Sequence, residues 1–248
     1  MTPQDDWLGR TELLLGSEKL DTLRKSHVLV IGLGGVGSAA AEMLCRAGVG
    51  RLTLADADVV EPSNRNRQLI ALLSTQGQRK TEALAQRLSD INPQVELELV
   101  DAYLKEDSMI ALLENPYDYI VDAIATLSPK AYMLLNAVRL QHKIVSAMGA
   151  GAKLDVTKVR IADISETHTC TFAFDIRKRL RKLGVASGFK AVFSIEPPQK
   201  SAVVHNEAGI NKKSIAGTIS YMPVLFGCYC ASVVIQDLIE DAKETKLP

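Results

Sequence analysis

Three scarcities in this 248-residue chain exclude the simplest alternatives before any motif is read. Cysteine is sparse: Cys45, Cys170, Cys228 and Cys230 contain no C-x-x-C pair, which argues against a disulfide framework and fits a reducing compartment. Cys228 and Cys230 stand two apart in a helical stretch, so they face apart and do not bind a metal jointly. Charge of one sign is lacking, with 29 Lys+Arg against 29 Asp+Glu, so no bulk field draws the chain to nucleic acid or a membrane. Only a local basic patch could do so. Long apolar runs are also missing: Tyr221 to Ile235, broken by Pro223 and Gly227, falls short of the ~20 residues that span a bilayer. It is expected as a buried helix, with no integral membrane span. The opening segment carries Asp5, Asp6 and Arg10 in place of a basic start and apolar run, so no signal peptide is expected and the cytoplasm is the default location.

What the chain does have is a 47% hydrophobic content, enough for one large α/β domain over 1–248. A nucleotide-binding core is expected at about 26–152 and a substrate- or dimer-facing extension at about 153–240. The pattern from Trp7 to Lys25 is helical with a break near Gly16. His27 to Ile31 is a β-branched and leucine run of the kind buried on both faces of a parallel sheet. Strands are further expected at Arg51 to Ala55, Val95 to Val100 (an outer one), Tyr119 to Ala123, Ile144 to Ala147, Val156 to Ile161 and Ala191 to Ile195. Helices are expected at Ser38 to Ala47, before Asn92-Pro93, at Asp107 to Leu113, Pro129 to Leu140, Ala173 to Leu183 and Gly217 to Leu238. This alternation reads as a doubly wound, Rossmann-like, mostly parallel sheet. Glu196 to Asn211 shows no periodicity, ends in Lys212-Lys213, and is expected as a loop.

Directly after the first strand, Gly32, Gly34 and Gly37 satisfy G-x-G-x-x-G, with Gly35 inside the same turn. Glycines permit a tight turn and close backbone approach to phosphate, and the following helix start aims free N–H groups and partial positive charge at the anion. Asp56 ends the second strand about 20 residues on, where a carboxylate accepts ribose hydroxyls. A dehydrogenase would need little more. Here, however, Asp58 and then Asn64, Arg65, Asn66, Arg67 and Gln68 crowd donors into the next loop, as positioning a triphosphate and neutralising departing pyrophosphate require. Arg67 is the candidate phosphate clamp. Lys80 reads as a solvated helix residue or as a second phosphate contact at a helix start. Asp122 closes a buried strand at the carboxyl edge, where ligands of open sheets collect. Arg177, Lys178, Arg179, Arg181 and Lys182 place five cations in six positions of one helix, spread around it and suited either to solvent or to a phosphate backbone.

GLGGVGS (Gly32 to Ser38), LADAD (Leu54 to Asp58), N-R-N-R-Q (Asn64 to Gln68), Lys80 and VDAI (Val121 to Ile124) resemble the ThiF/MoeB/HesA-type adenylating family, related to ubiquitin-activating enzymes. RTELLLG (Arg10 to Gly16), SAMGAGAKLD (Ser146 to Asp155), VRIADIS (Val159 to Ser165), FSIEPP (Phe193 to Pro198) and AGTISYMP (Ala216 to Pro223) are similar to its tRNA threonylcarbamoyladenosine dehydratase branch. The resemblance implies a homodimer that uses ATP and Mg2+ to adenylate the threonyl carboxylate of the modified base at position 37 of certain tRNAs, which then cyclises with net loss of water. It also implies that Gly32, Gly34, Gly35 and Gly37 hold the phosphates, Asp56 and Asp58 the nucleotide, and Asn66, Arg67 and Lys80 the triphosphate. Arg10 becomes an arginine finger into the partner subunit's ATP. A sulfur-transfer partner protein (a cysteine desulfurase or its acceptor) and a monovalent cation near Gly217 are further implied possibilities.

Two departures qualify the resemblance. The family reads D-x-x-D at the strand end, its second aspartate handling magnesium and the α-phosphate; here Asp122 is followed by Ala125. Alanine coordinates no hard cation, so adenylation is expected to be severely slowed unless Asp58 or Asp122 substitutes, which makes Asp122 the candidate metal ligand. Near Cys170 the family's C-P-L-A-[RK] becomes Cys170-Thr171-Phe172-Ala173-Phe174. The alternatives are therefore adenylation of a ubiquitin-like sulfur-carrier C-terminus and a non-catalytic nucleotide-binding scaffold.

Overall fold

The computed structural model describes residues 7–205 and 214–244. Seven strands form one sheet: β1 (His27–Ile31), β2 (Arg51–Ala55), β3 (Glu96–Val100), β4 (Tyr119–Asp122), β5 (Ile144–Ala147), β6 (Val159–Asp163) and β7 (Lys190–Ser194). Their spatial order is β3-β2-β1-β4-β5-β7-β6, and every pairing is parallel except β6 with β7. This is the doubly wound, Rossmann-like arrangement. Its cause is visible in β1, where Val28 and Val30 enter one core and Leu29 and Ile31 the other, as a strand covered on both sides requires. β3 lies at the edge, and its glutamates Glu96 and Glu98 are exposed.

Helices α1 (Gly9–Leu15) and α2 (Ser17–Lys25) are separated by Gly16, whose φ of 84° breaks the helix where the sequence placed the break. α3 (Gly37–Arg46), α4 (Lys80–Ile91) and α8 (Tyr221–Glu244) join α2 over one face of the sheet, and α5 (Glu106–Leu113), α6 (Leu127–Arg139) and α7 (Thr171–Lys182) cover the other. The strand order reverses between β2 and β4 on either side of β1. The carboxyl ends there form the crevice where such sheets take ligands.

Four expectations need correction. Residues 156–158 form a 3₁₀ turn, and the strand runs from Val159 to Asp163, so β6 and β7 complete the main sheet. The stretch expected as a loop after Glu196 contains a 3₁₀ turn and β8 (Val203–His205), which pairs antiparallel with β9 (Ser214–Ala216). Cross-strand pairing is invisible to a periodicity search when each arm is three residues long. Residues 206–213, with Asn211, Lys212 and Lys213, lie outside the described residues, as do Asp5 and Asp6. The last helix starts at Tyr221, not Gly217, and has 24 residues, long and apolar enough by composition to cross a membrane. Length therefore does not exclude a span. Burial supports the core reading: Met222, Phe226, Cys230 and Val234 are fully buried in the α2–α3–α4 core, and the Cys230 thiol is pushed up to about 12 by that burial. Cys228, two residues away, is only partly buried, so the two thiols do face apart.

Candidate nucleotide site

The glycine turn is fixed by contacts no side chain would permit. Gly32 has φ 86°, and a Cβ there would lie 2.8 Å from the Ala123 carbonyl oxygen; one on Gly37 would lie 1.8 Å from the Gly32 oxygen. The other two glycines differ. Around Gly34 only the Gln68 amide nitrogen comes within reach, at 3.8 Å, so the space beside its backbone is open. Gly35 is closed off by the Arg67 carbonyl at 2.7 Å and by Pro223 at 2.8 Å, which makes it a packing position against the polar loop and α8.

Asp56, at the end of β2, accepts the Leu33 N–H at 2.6 Å and the Asp58 N–H at 2.8 Å, tying the turn to the loop that follows. Lys80 is the first residue of α4 and only 6% exposed, so the reading of a solvated helix residue is reversed. Its ammonium lies 2.7 Å from Asp58 Oδ2 and 3.9 Å from Asp56 Oδ1. Asp58 itself keeps 72% of its side chain in water. Arg67 donates to the Ser63 carbonyl and to Asn66 Oδ1, while Asn66 Nδ2 donates to the Thr218 carbonyl just before α8. The arginine is thus braced, through Asn66, on the C-terminal segment.

Gln68 was one of the polar cluster but not among the expected ligand-binding residues. It is 8% exposed, and its buried Oε1 has no hydrogen-bond partner among the described residues. An orphaned buried acceptor next to an open glycine backbone suits a polar ligand. With the braced Arg67 and the buried Lys80, the residues fit a nucleotide triphosphate. Among the described residues no three His, Cys, Asp or Glu side chains converge, so no all-protein metal cage is built, and a magnesium ion would have to share its ligands with the phosphates.

Asp122 was expected to hold the metal, and its surroundings overturn that. The carboxylate is fully buried, with Oδ2 accepting from Lys130 Nζ at 2.6 Å and from Ser146 Oγ at 2.6 Å, and Oδ1 accepting from the Ile124 N–H at 3.0 Å. No oxygen is left facing outward. Lys130, itself fully buried, also donates to the Ile124 carbonyl at 3.1 Å. Together the pair pins the Ala123–Ala125 connection, whose Ala123 carbonyl abuts Gly32. Sequence reading missed Lys130; the available signal was a lysine directly preceding the apolar run Ala131 to Leu135. Ala125, where the resemblance leads one to expect a second aspartate, is exposed in the same connection.

Arg10 is not brought to this crevice. Leu8, just before α1, packs near Gly48 at the amino end of β2, the opposite edge of the sheet, and Arg10 is exposed. Near Gly217, whose carbonyl accepts from the Ala152 N–H, lies Lys153, which is 4% exposed and donates to the Gly149 carbonyl at 2.8 Å. Burial pulls its pKa below the usual lysine range, against the opposing pull of Cys170 and Glu196.

The ThiF family model matches residues 9–247. A Bacillus subtilis protein named tRNA threonylcarbamoyladenosine dehydratase is 39% identical over 94% of this chain and 94% of its own length. The Haemophilus influenzae protein of the same name is 34% identical over 90% of this chain and 89% of its own. The crystal structure of the Escherichia coli enzyme, TcdA, in complex with ATP superposes with a TM-score of 0.88 at 30% identity, covering 98% of this chain and 99% of that one.

Proposed function

The chain belongs to the ThiF family, and from that premise we propose that it is an ATP-dependent tRNA threonylcarbamoyladenosine dehydratase whose adenylation step is slowed by Ala125. The observation that carries the ATP reading is Lys80, desolvated at the crevice and held between Asp56 and Asp58. A lysine in this position is already dehydrated on one side, and its partner Asp58 is free to swing into water when an anion takes its place. Relatives of nearly full coverage that bear this activity support the substrate reading.

In this reaction a carboxylate oxygen of the modified base attacks the α-phosphorus of ATP and pyrophosphate leaves. A nucleophile within the same modification then attacks the activated carbonyl, loses its proton, and expels AMP with that oxygen. The chain's own residues would position the reactants: the Gly34 backbone and the α3 start take phosphate, Arg67 and Lys80 neutralise the departing charge, and Asp56 holds the ribose. What is lacking is a carboxylate opposite them. Asp122 does not supply it, committed as it is to Lys130; Asp58, whose side chain stays largely in water, is the carboxylate that would help hold a magnesium ion, which would supply charge neutralisation. Arg10 would act only across a homodimer; exposed Leu13 and Leu14, at 76% and 82%, lie on the same helix and suit such an interface.

Nucleoside analysis of tRNA incubated with ATP, magnesium and the protein tests this. Slow formation of the cyclised nucleoside, accelerated by Ala125→Asp, is expected. No cyclised nucleoside from either form, with ATP binding retained, would remove the enzyme reading.

A further inference from the structure

Resting on the tRNA reading above, we propose that the outward face of α7 is the RNA-docking surface of this protein, with phosphates taken by Arg177, Lys178, Arg181 and Lys182 and an unstacked base by Phe174. These five side chains line one open surface groove. α7 buries Ala173, Ile176 and Leu180, so its apolar stripe is spent on the core and its cations cover the outer side rather than encircling it.

Three observations favour this occupant. The chain has zero formal net charge, yet among the described residues none of the five α7 cations makes an ion pair, so the patch is a local excess of positive charge. Arg177 is held in the patch by donating Nη1 to the Thr167 carbonyl and Oγ1, and its pKa is lowered by burial first and then by the neighbouring Arg181, against the pull of Cys170. Phe174, 55% exposed amid the cations, supplies a π-face, and cations interleaved with an aromatic are what single-stranded nucleic acid is bound by. α7 is also anchored to the crevice: the Phe172 ring lies 5.9 Å from Lys130 Nζ, and Arg179 donates to Ser128 Oγ at 2.7 Å, in the first turn of α6 just past Ala125. RNA lying on α7 is therefore held beside the carboxyl edge of the sheet.

The test is fluorescence anisotropy with the modified tRNA over a salt series, using the triple variant Lys178→Gln/Arg181→Gln/Lys182→Gln and a charge-keeping control Lys178→Arg/Arg181→Lys/Lys182→Arg. The triple variant is expected to bind at least about 10-fold more weakly at low salt, with the slope of log affinity against log salt reduced by about 2 to 3, roughly 0.7 to 0.9 for each of the three lost contacts. The control should bind as the parent does. Phe174→Ala should weaken binding to an RNA stem-loop about 10-fold and leave a plain duplex unchanged. Unchanged affinity and slope in the triple variant, with ATP binding intact, would overturn the proposal. So would tighter cation-dependent binding to phosphatidylserine vesicles than to RNA. Should the triple variant misfold, the single variant Lys182→Gln, exposed at the helix end, must still lower the slope by about 0.7 to 0.9. Cation-dependent binding of all RNAs without any cyclised nucleoside would keep the docking surface while removing the dehydratase reading.

Discussion

Lys80 and Lys130 are both buried lysines paired with aspartate at the carboxyl edge of one sheet, yet only the first pair has an open side. Lys80 reaches Asp58, whose side chain is 72% exposed, next to the uncrowded backbone of Gly34. Lys130 reaches Asp122 where both side chains are fully buried, and every oxygen of that carboxylate is satisfied by Lys130, Ser146 or Ile124. The same two residue types therefore make a half-solvated contact in one place and a sealed brace in the other. Solvent access to the aspartate decides which, because a carboxylate that remains hydrated gives up its lysine cheaply whereas a buried one does not.

The largest effect should come from breaking the sealed pair. Lys130→Met leaves Asp122 buried without its cation, a change that costs about 3–5 kcal/mol. Urea unfolding is expected to show that loss, and Lys130→Met/Asp122→Asn should recover most of it by removing the stranded charge. A Lys130→Met protein of unchanged stability would mean that water reaches Asp122, and the distinction between the two pairs would collapse.

Next in size is the effect expected from adding a carboxylate at position 125. Ala125→Asp adds an acidic group at an exposed position of the crevice, and ATP–pyrophosphate exchange with the modified tRNA should rise about 10²-fold, the scale of one well-placed electrostatic group in a transition state. Because Ala125 is exposed, stability should hardly change. No gain in exchange would favour a nucleotide-binding scaffold over a slowed enzyme.

The contrast also marks how far the sequence could be read. Buried strands β1, β2 and β4 were legible because both-sided burial leaves an uninterrupted apolar run, and the glycine turn because only glycine tolerates the φ of Gly32 and the approach of Gly37 to its carbonyl. Lys80 and Lys130 were not, since a lysine looks the same in sequence whether or not its aspartate partner lies across the fold. Lys80 was singled out as a phosphate contact only by its proximity to the Asn64–Gln68 cluster, while Lys130 went unnoticed and Asp122 was assigned to a metal. The β8–β9 ribbon escaped for a related reason: its stability lies in pairing between strands, which leaves no trace in a three-residue segment.

For the open pair, Lys80→Met should lower ATP affinity about 10- to 100-fold, the loss of one charge-assisted contact worth about 1.5–3 kcal/mol, measured by calorimetric titration. Stability should fall by less than for Lys130→Met, since Asp58 stays in water. A stability loss as large as that of Lys130→Met would show Lys80 to be a brace as well.

The smallest effect tests the far edge of the sheet, where no ligand is expected. His27 opens β1, with Nε2 2.8 Å from Thr53 Oγ1 and its ring edge-on to Tyr117 at 4.7 Å. Burial first, then Arg51, hold its pKa below 6.5, against the opposing pull of Glu98, Asp118 and Glu96. The unfolded chain thus takes up the proton more readily than the folded one. Stability is undiminished above 6.5 and declines as pH falls from there through the lowered folded value, then levels off. His27→Gln should flatten that decline in urea midpoints compared between pH 7.5 and 5.5, and leave ATP affinity at either pH as it was. A change in ATP affinity would mean that the amino and carboxyl edges of the sheet are coupled, and that the solvent access which separates the two lysine pairs is not set at the carboxyl edge alone.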